Sequence, residues 1–188
     1  VRVAVAGTHG TGKSTLIAAF LDRCPRYAHE AEAFETLGDD VDLTEAEGPT
    51  AEGLDVLLQF TVRAACAYAS GADVIHERSP LDYVAYAFAS RWPRGEARRF
   101  LAERRDALRL ALDHLDLIAL VPRSKDVEAR AGEDERFRRR VDERLRRALI
   151  DDDHDLLGGA HAPRVAELSP APTRWLEELL RLTGAAPP

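Results

Sequence analysis

At 188 residues, with 45% hydrophobic and 31% charged side chains, the chain has the make-up of one globular domain with a single substantial core. Its net charge of −7 argues against a broad nucleic-acid or anionic-membrane surface, and no apolar run approaches the roughly 20 residues that cross a bilayer. Cys24 and Cys66 lack metal-like or redox spacing, and an opening strand at Val1 leaves no room for a secretory signal. Both features predict a cytoplasmic protein.

The first element is an apolar run, Val1–Ala6, read as a buried strand. Gly7 to Ser14 (GTHGTGKS) follows it and fits G-x-x-x-x-G-K-[ST] at every position, and a helical stretch, Lys13–Leu21, comes next. This is a Walker A phosphate loop in its working context. The strand aims the loop, and the helix N-terminus turns its free N–H groups and positive dipole end toward an anion. Gly7, Thr8, His9, Gly10, Thr11, Gly12, Lys13, Ser14 and Thr15 are therefore the predicted nucleotide-binding residues. Lys13 would reach the β- and γ-phosphates, and the Ser14 hydroxyl would ligate Mg²⁺. His9 occupies a variable position of the motif and is expected to point outward. The chain holds two lysines against 24 arginines, yet this position is lysine. A compact ammonium fits between phosphates where a planar guanidinium does not.

A weak strand, Arg26–Glu30, is next, and its end offers Glu30, with Glu32 as the competing choice, as a carboxylate facing the transferred group. From Tyr27 to Val62 there is no lysine or arginine, while ten acids run from Glu30 to Asp55. Such a segment repels a second phosphate and prefers a neutral or cationic acceptor. A helix over Leu54–Ser70 leads to the strand Asp73–Glu77. That strand ends in Glu77-Arg78-Ser79-Pro80, where Ser79 caps a helix over Pro80–Ser90. Glu77 suits Mg²⁺, and Arg78 suits the phosphates or the acceptor.

Helix Glu96–His114 and strand Leu115–Val121 follow. Helix Glu133–Ile150 has an apolar stripe at Phe137, Val141, Leu145 and Leu149, with Arg138, Arg139, Arg140, Arg144, Arg146 and Arg147 expected on its solvated face. Asp151–Asp155 reads as a solvated helix end. Strand Arg164–Leu168 and helix Thr173–Leu182 close the chain. Ser169–Pro172, after the last strand, lies where the backbone could hold an adenine edge. Strands alternating with helices predict an α/β fold, a five-stranded parallel sheet with helices on both faces, ligands lying at the carboxyl ends of the strands.

Walker A, an acid ending the second strand and Glu-Arg-Ser ending the third resemble the deoxynucleoside kinase family. The run ERSPLDYVAY is similar to thymidylate kinases and to the nicotinamide riboside kinases with their AAA-type ATPase/kinase relatives. With Val121-Pro122 after the fourth strand, it resembles the nicotinamide riboside kinase side more closely. The resemblance implies a P-loop NTPase three-layer sandwich, a single domain over residues 1–188, with ATP and Mg²⁺ as cofactors. It implies Glu30 as base, Glu77 beside the metal, Arg78 on the phosphates, and an arginine lid over about residues 122–137. Arg130 and Arg123 are the first choices there, followed by Arg136. Many relatives are dimers, so it also raises a homodimer. The expected activity is phosphoryl transfer to a hydroxyl of a small nucleoside-like acceptor. A monophosphate kinase and a regulatory ATPase are the alternatives.

Overall fold

A strand over Arg2–Ala6 (β1) forms the centre of a five-stranded, wholly parallel sheet. In chain order the others are Ala28–Glu30 (β2), Val74–Glu77 (β3), Leu117–Leu120 (β4) and Arg164–Glu167 (β5), arranged β2-β3-β1-β4-β5. The computed structural model describes residues 1–34, 48–124 and 134–185. Its helices are Lys13–Arg23 (α1), Ala51–Cys66 (α2), Pro80–Ala89 (α3), Glu96–Asp113 (α4), Glu135–Ile150 (α5) and Trp175–Thr183 (α6). The predicted alternation of strands and helices therefore stands, with element ends moved by a few residues.

Side chains alternate across β1 as a strand requires. Val3 and Val5 face one layer with Leu16, Ile17, Phe20, Trp175 and Leu179, which places α1 and α6 on that side. Ala4 and Ala6 face the other, against α2, α3, α4 and α5. Small residues there let α3 lie close to the sheet. That helix is buried over nearly all its length, including Tyr83 and Tyr86 at 0% exposure, because it runs inside a ring of helices.

The stripe read in α5 is the one that packs: Phe137, Val141, Leu145 and Leu149 are all at most 2% exposed. Each contributes about 1.5–3 kcal/mol by leaving water. Asp134 caps the helix, accepting from the Arg136 amide at 2.8 Å and the Phe137 amide at 3.2 Å. β1 and β3 pair from Arg2↔Val74 to Val5↔Glu77, so their carboxyl ends finish together. That common edge is where the phosphate loop and the Glu77-Arg78-Ser79 turn meet.

Candidate active site

The loop leaves β1 at Gly7, where a Cβ would stand 3.0 Å from the Val121 carbonyl oxygen and 3.1 Å from Thr11 Oγ1. Only glycine fits where β1, the loop and the end of β4 converge. Thr11 Oγ1 donates to the Thr8 carbonyl at 2.9 Å, and Lys13 Nζ donates to the same oxygen at 3.0 Å. Lys13 is 4% exposed, and its ammonium is lowered to about 8, first by burial and then by Arg78. The first turn of α1 carries no acidic residue, so its positive end is left for an anion. Gly12 packs beside Trp175, whose ring carbon Cζ3 lies 3.4 Å from where a Gly12 Cβ would be. Trp175 Nε1 donates to the Ser169 carbonyl at 2.7 Å, fixing the turn after β5.

Ser14 Oγ donates to Glu77 Oε1 at 2.8 Å. Two hard oxygen donors thus meet at the mouth of the loop, a pairing suited to Mg²⁺, which keeps several waters and takes few protein ligands. Among the described residues no group of three or more His, Cys, Asp or Glu side chains could hold a metal. In the Asp151–Asp155 run, Asp152 Oδ1 accepts the Leu156 amide at 2.8 Å, and Arg109 Nη2 donates to the Asp155 carbonyl at 2.8 Å.

After Glu77 the chain takes a left-handed step at Arg78, φ 79°. This step turns a strand into a helix and folds the guanidinium inward to 1% exposure. Arg78 Nε donates to Glu32, Nη1 donates to the Gly7 carbonyl at 3.2 Å, and the guanidinium lies 5.2 Å above the Tyr86 ring. Burial raises the Glu32 carboxyl, but the charges of Arg78 and Lys13 outweigh it and hold the group below the usual carboxylate range. Asp82, wholly buried, lies 3.5 Å from Arg78 Nη1. It accepts the Gly7 amide at 3.0 Å on one oxygen, and the Ser79 amide and hydroxyl, both at 2.8 Å, on the other.

Lys13, Ser14, Glu77 and Arg78 thus converge, and Glu32 joins them. Glu30 lies elsewhere, on the edge strand β2 in register with His76, where it accepts the Tyr68 hydroxyl. That hydrogen bond and burial push the Tyr68 phenol up to about 12. Thr8 is buried in the loop, and Thr15 is exposed on the first turn of α1. Arg123 is about a quarter exposed and paired with Glu135. Arg130, most of the expected lid, and the acids from Glu35 to Glu47 lie outside the described residues. Asp55, at the far end of the acidic run, pairs with Arg104.

Two expectations are corrected. His9 does not point outward: it is 7% exposed, its amide donates to Tyr86 Oη at 3.1 Å, and its Nδ1 lies 2.8 Å from that oxygen. Burial, then Arg78, Arg138 and Lys13, lower its imidazole to about 3. Arg138 is not on the solvated face of α5. It is 4% exposed, with Nε donating to the His9 carbonyl at 3.2 Å and Nη2 to the Gly10 carbonyl at 3.0 Å. Arg140 is half-buried and donates to the Ala89 carbonyl at 3.1 Å, whereas Arg139 stays exposed near Glu143.

A family model described as an AAA domain matches residues 2–157, most of the chain and all of the elements that build this site except the turn after β5 and α6. The chain belongs to the AAA-domain family. No curated protein matches it. Among solved structures it is similar to deoxyadenosine kinase from M. mycoides with bound dATP. The TM-score is 0.71 at 12% identity, covering 98% of this chain and 100% of that one. It is also similar to the NadR protein in complex with NR, with a TM-score of 0.68 at 16% identity. That match covers 99% of this AAA-domain chain and 52% of the other, so the chain spans about half the length of NadR. At these identities the likeness establishes a P-loop kinase-like fold, as the motifs predicted.

Proposed function

We propose that this chain transfers the γ-phosphoryl group of Mg·ATP to a hydroxyl of a small, nucleoside-like acceptor that is neutral or cationic. The observation that carries the reading is one constellation: Lys13 and the loop amides, the Ser14–Glu77 pair and the Arg78–Glu32 ion pair meet at the joint end of β1 and β3. The named neighbours act on nucleosides or bind NR, which agrees with this choice of acceptor.

Each residue then has a role. The loop amides and Lys13 hold the β- and γ-phosphates and spread the charge that develops on transfer. Ser14 and Glu77 would hold Mg²⁺, which supplies neutralising charge to the phosphate oxygens when bound. Glu32 accepts the proton of the attacking hydroxyl. It is ionised near neutrality because Arg78 and Lys13 favour its charged form. Arg78 fixes that carboxylate against the Gly7 carbonyl, so the base and the phosphate loop keep one spacing. Glu32 is preferred to Glu30 because Glu30 is engaged by Tyr68 on the sheet edge. The lysine- and arginine-free run from Tyr27 to Val62 disfavours an acceptor that already bears a phosphate. The arginine lid with Arg130, a homodimeric state and a cytoplasmic setting belong to the same proposal. No helix among the described residues is long and apolar enough to cross a membrane.

The test is ADP release from Mg·ATP across neutral and cationic nucleosides and their monophosphates, with Glu32→Gln and Glu30→Gln run beside the unaltered protein. The reading expects stimulation by a nucleoside and a loss of about 10²-fold or more in Glu32→Gln alone. Faster turnover with a monophosphate than with its nucleoside would favour a nucleotide kinase. Slow ADP release that no acceptor changes would favour a regulatory ATPase.

A further inference from the structure

Arg138 lies on α5, far in sequence from the loop it touches, and no step of the proposed transfer uses it. Its guanidinium is buried, and its three nitrogens are all engaged. Nε donates to the His9 carbonyl at 3.2 Å, Nη2 to the Gly10 carbonyl at 3.0 Å and Nη1 to Glu135 Oε2 at 3.1 Å. Glu135 also pairs with Arg123, just beyond β4. One cation therefore joins the phosphate loop to the start of α5 and the end of β4.

The peptide unit is planar and trans, so a carbonyl and the N–H that follows it point in opposite directions. Drawing the His9 and Gly10 carbonyls toward Arg138 turns the amides of Gly10 and Thr11 the other way, toward the inside of the loop. Neither amide donates to an acceptor among the described residues. Two such amides without a protein partner are left for another acceptor, and one anion would satisfy both. A guanidinium suits this task because its rigid fork spans two oxygens at once, which an ammonium does not.

We infer that Arg138 is a positioning residue that holds the phosphate loop in its anion-binding shape from outside. It acts through the carbonyls of His9 and Gly10 and does not touch the nucleotide. The inference rests on the proposal that this loop binds a nucleotide, and it extends the site to α5.

The experiment is isothermal titration of Mg·ADP into the full chain, which needs no acceptor. Arg138→Ala should bind about 10- to 100-fold more weakly, the loss expected when charge-assisted hydrogen bonds that shape a site are removed. Arg138→Lys should fall between the two, because one ammonium serves one carbonyl well. Millimolar guanidinium should restore binding to Arg138→Ala and leave the unaltered protein unchanged. Arg139→Ala, one residue away on the exposed face, should bind as the unaltered protein does.

If Arg138→Ala does not fold, Arg138→Met keeps the packing stem and carries the same expectation. Equal binding by the unaltered protein and by Arg138→Ala or Arg138→Met overturns the inference while leaving the nucleotide reading in place. So does a loss matched by a fall in melting temperature that guanidinium fails to restore, since that is a packing effect alone. No binding by the unaltered protein overturns the nucleotide reading itself, and this inference with it.

Discussion

Asp82 and Gly7 are joined by a buried hydrogen bond, 3.0 Å from the Gly7 amide to Asp82 Oδ1, that ties the first residue of the phosphate loop to the first turn of α3. The other carboxylate oxygen takes the Ser79 amide and hydroxyl, and Arg78 lies 3.5 Å away. Asp82→Ala would strand two N–H groups and a hydroxyl and weaken the compensation of a buried cation. It should lower unfolding free energy by about 3 kcal/mol in urea titration. A loss below about 1 kcal/mol would mean that Glu32 alone suffices for Arg78.

Gly48 has φ +82°, and a Cβ there would stand 2.2 Å from Ser90 Oγ and 2.9 Å from Phe137 Cζ. Ser90 cannot simply rotate away, because its hydroxyl donates to the Tyr86 carbonyl at 2.8 Å. Gly48→Ala should therefore destabilise by about 2 kcal/mol or more, from backbone strain and overpacking together. Thermal melting of the variant beside Gly71→Ala is the check. Gly71 is also at positive φ but has nothing within 4 Å of its Cβ position, so it isolates the backbone share.

The neutral, buried His9 makes stability fall with acid. Its folded value is about 3 and its ordinary value 6.5, so below pH 6.5 the unfolded chain takes up a proton that the folded chain refuses. The contribution is intact above pH 6.5 and is lost progressively as pH falls toward 3. Arg78, Arg138 and Lys13 face the ring and oppose its protonation, and Glu32 favours it weakly. His9→Asn should flatten the slope of unfolding free energy against pH between about 6.5 and 4 by nearly one proton. Identical slopes would place the ring in water.

Glu30 and Tyr68 form a pair on the sheet edge, away from the Arg78 cluster. Tyr68→Phe should change the rate of phosphoryl transfer by less than about twofold and stability by about 1 kcal/mol. A large fall in rate with stability preserved would return Glu30 to the reacting centre.

The sheet and its helices were legible because their signals are local. The apolar run Val1–Ala6, a four-residue stripe in α5 and the Ser79-Pro80 cap are each short-range signals. Lys13, Ser14, Glu77 and Arg78 were legible because motif and strand ends place them together. Arg138 was not, since what buries it is a loop written far earlier in the chain. Its spacing held a hint, for 138 falls in the series 138, 141, 145, 148, which is buried throughout and shares 141 and 145 with the stripe that was read. Composition hid it, because seven arginines in one helix look like a solvated face. Between Glu30 and Glu32 the sequence left an open choice. A three-residue edge strand, exposed at Ala28 and His29, carries too little pattern to say which acid turns inward.

The contact between Gly12 and Trp175 has a consequence for how the molecule is made. A ribosome delivers the phosphate loop more than 150 residues before the indole that leans on it. Asp82 can reach Gly7 midway through synthesis, Arg138 can grip the His9 and Gly10 carbonyls later, and Trp175 arrives only with α6. The nascent loop is thus assembled in stages, its flank closing once α6 has emerged. Nucleotide capture by stalled chains of increasing length would record those stages as steps.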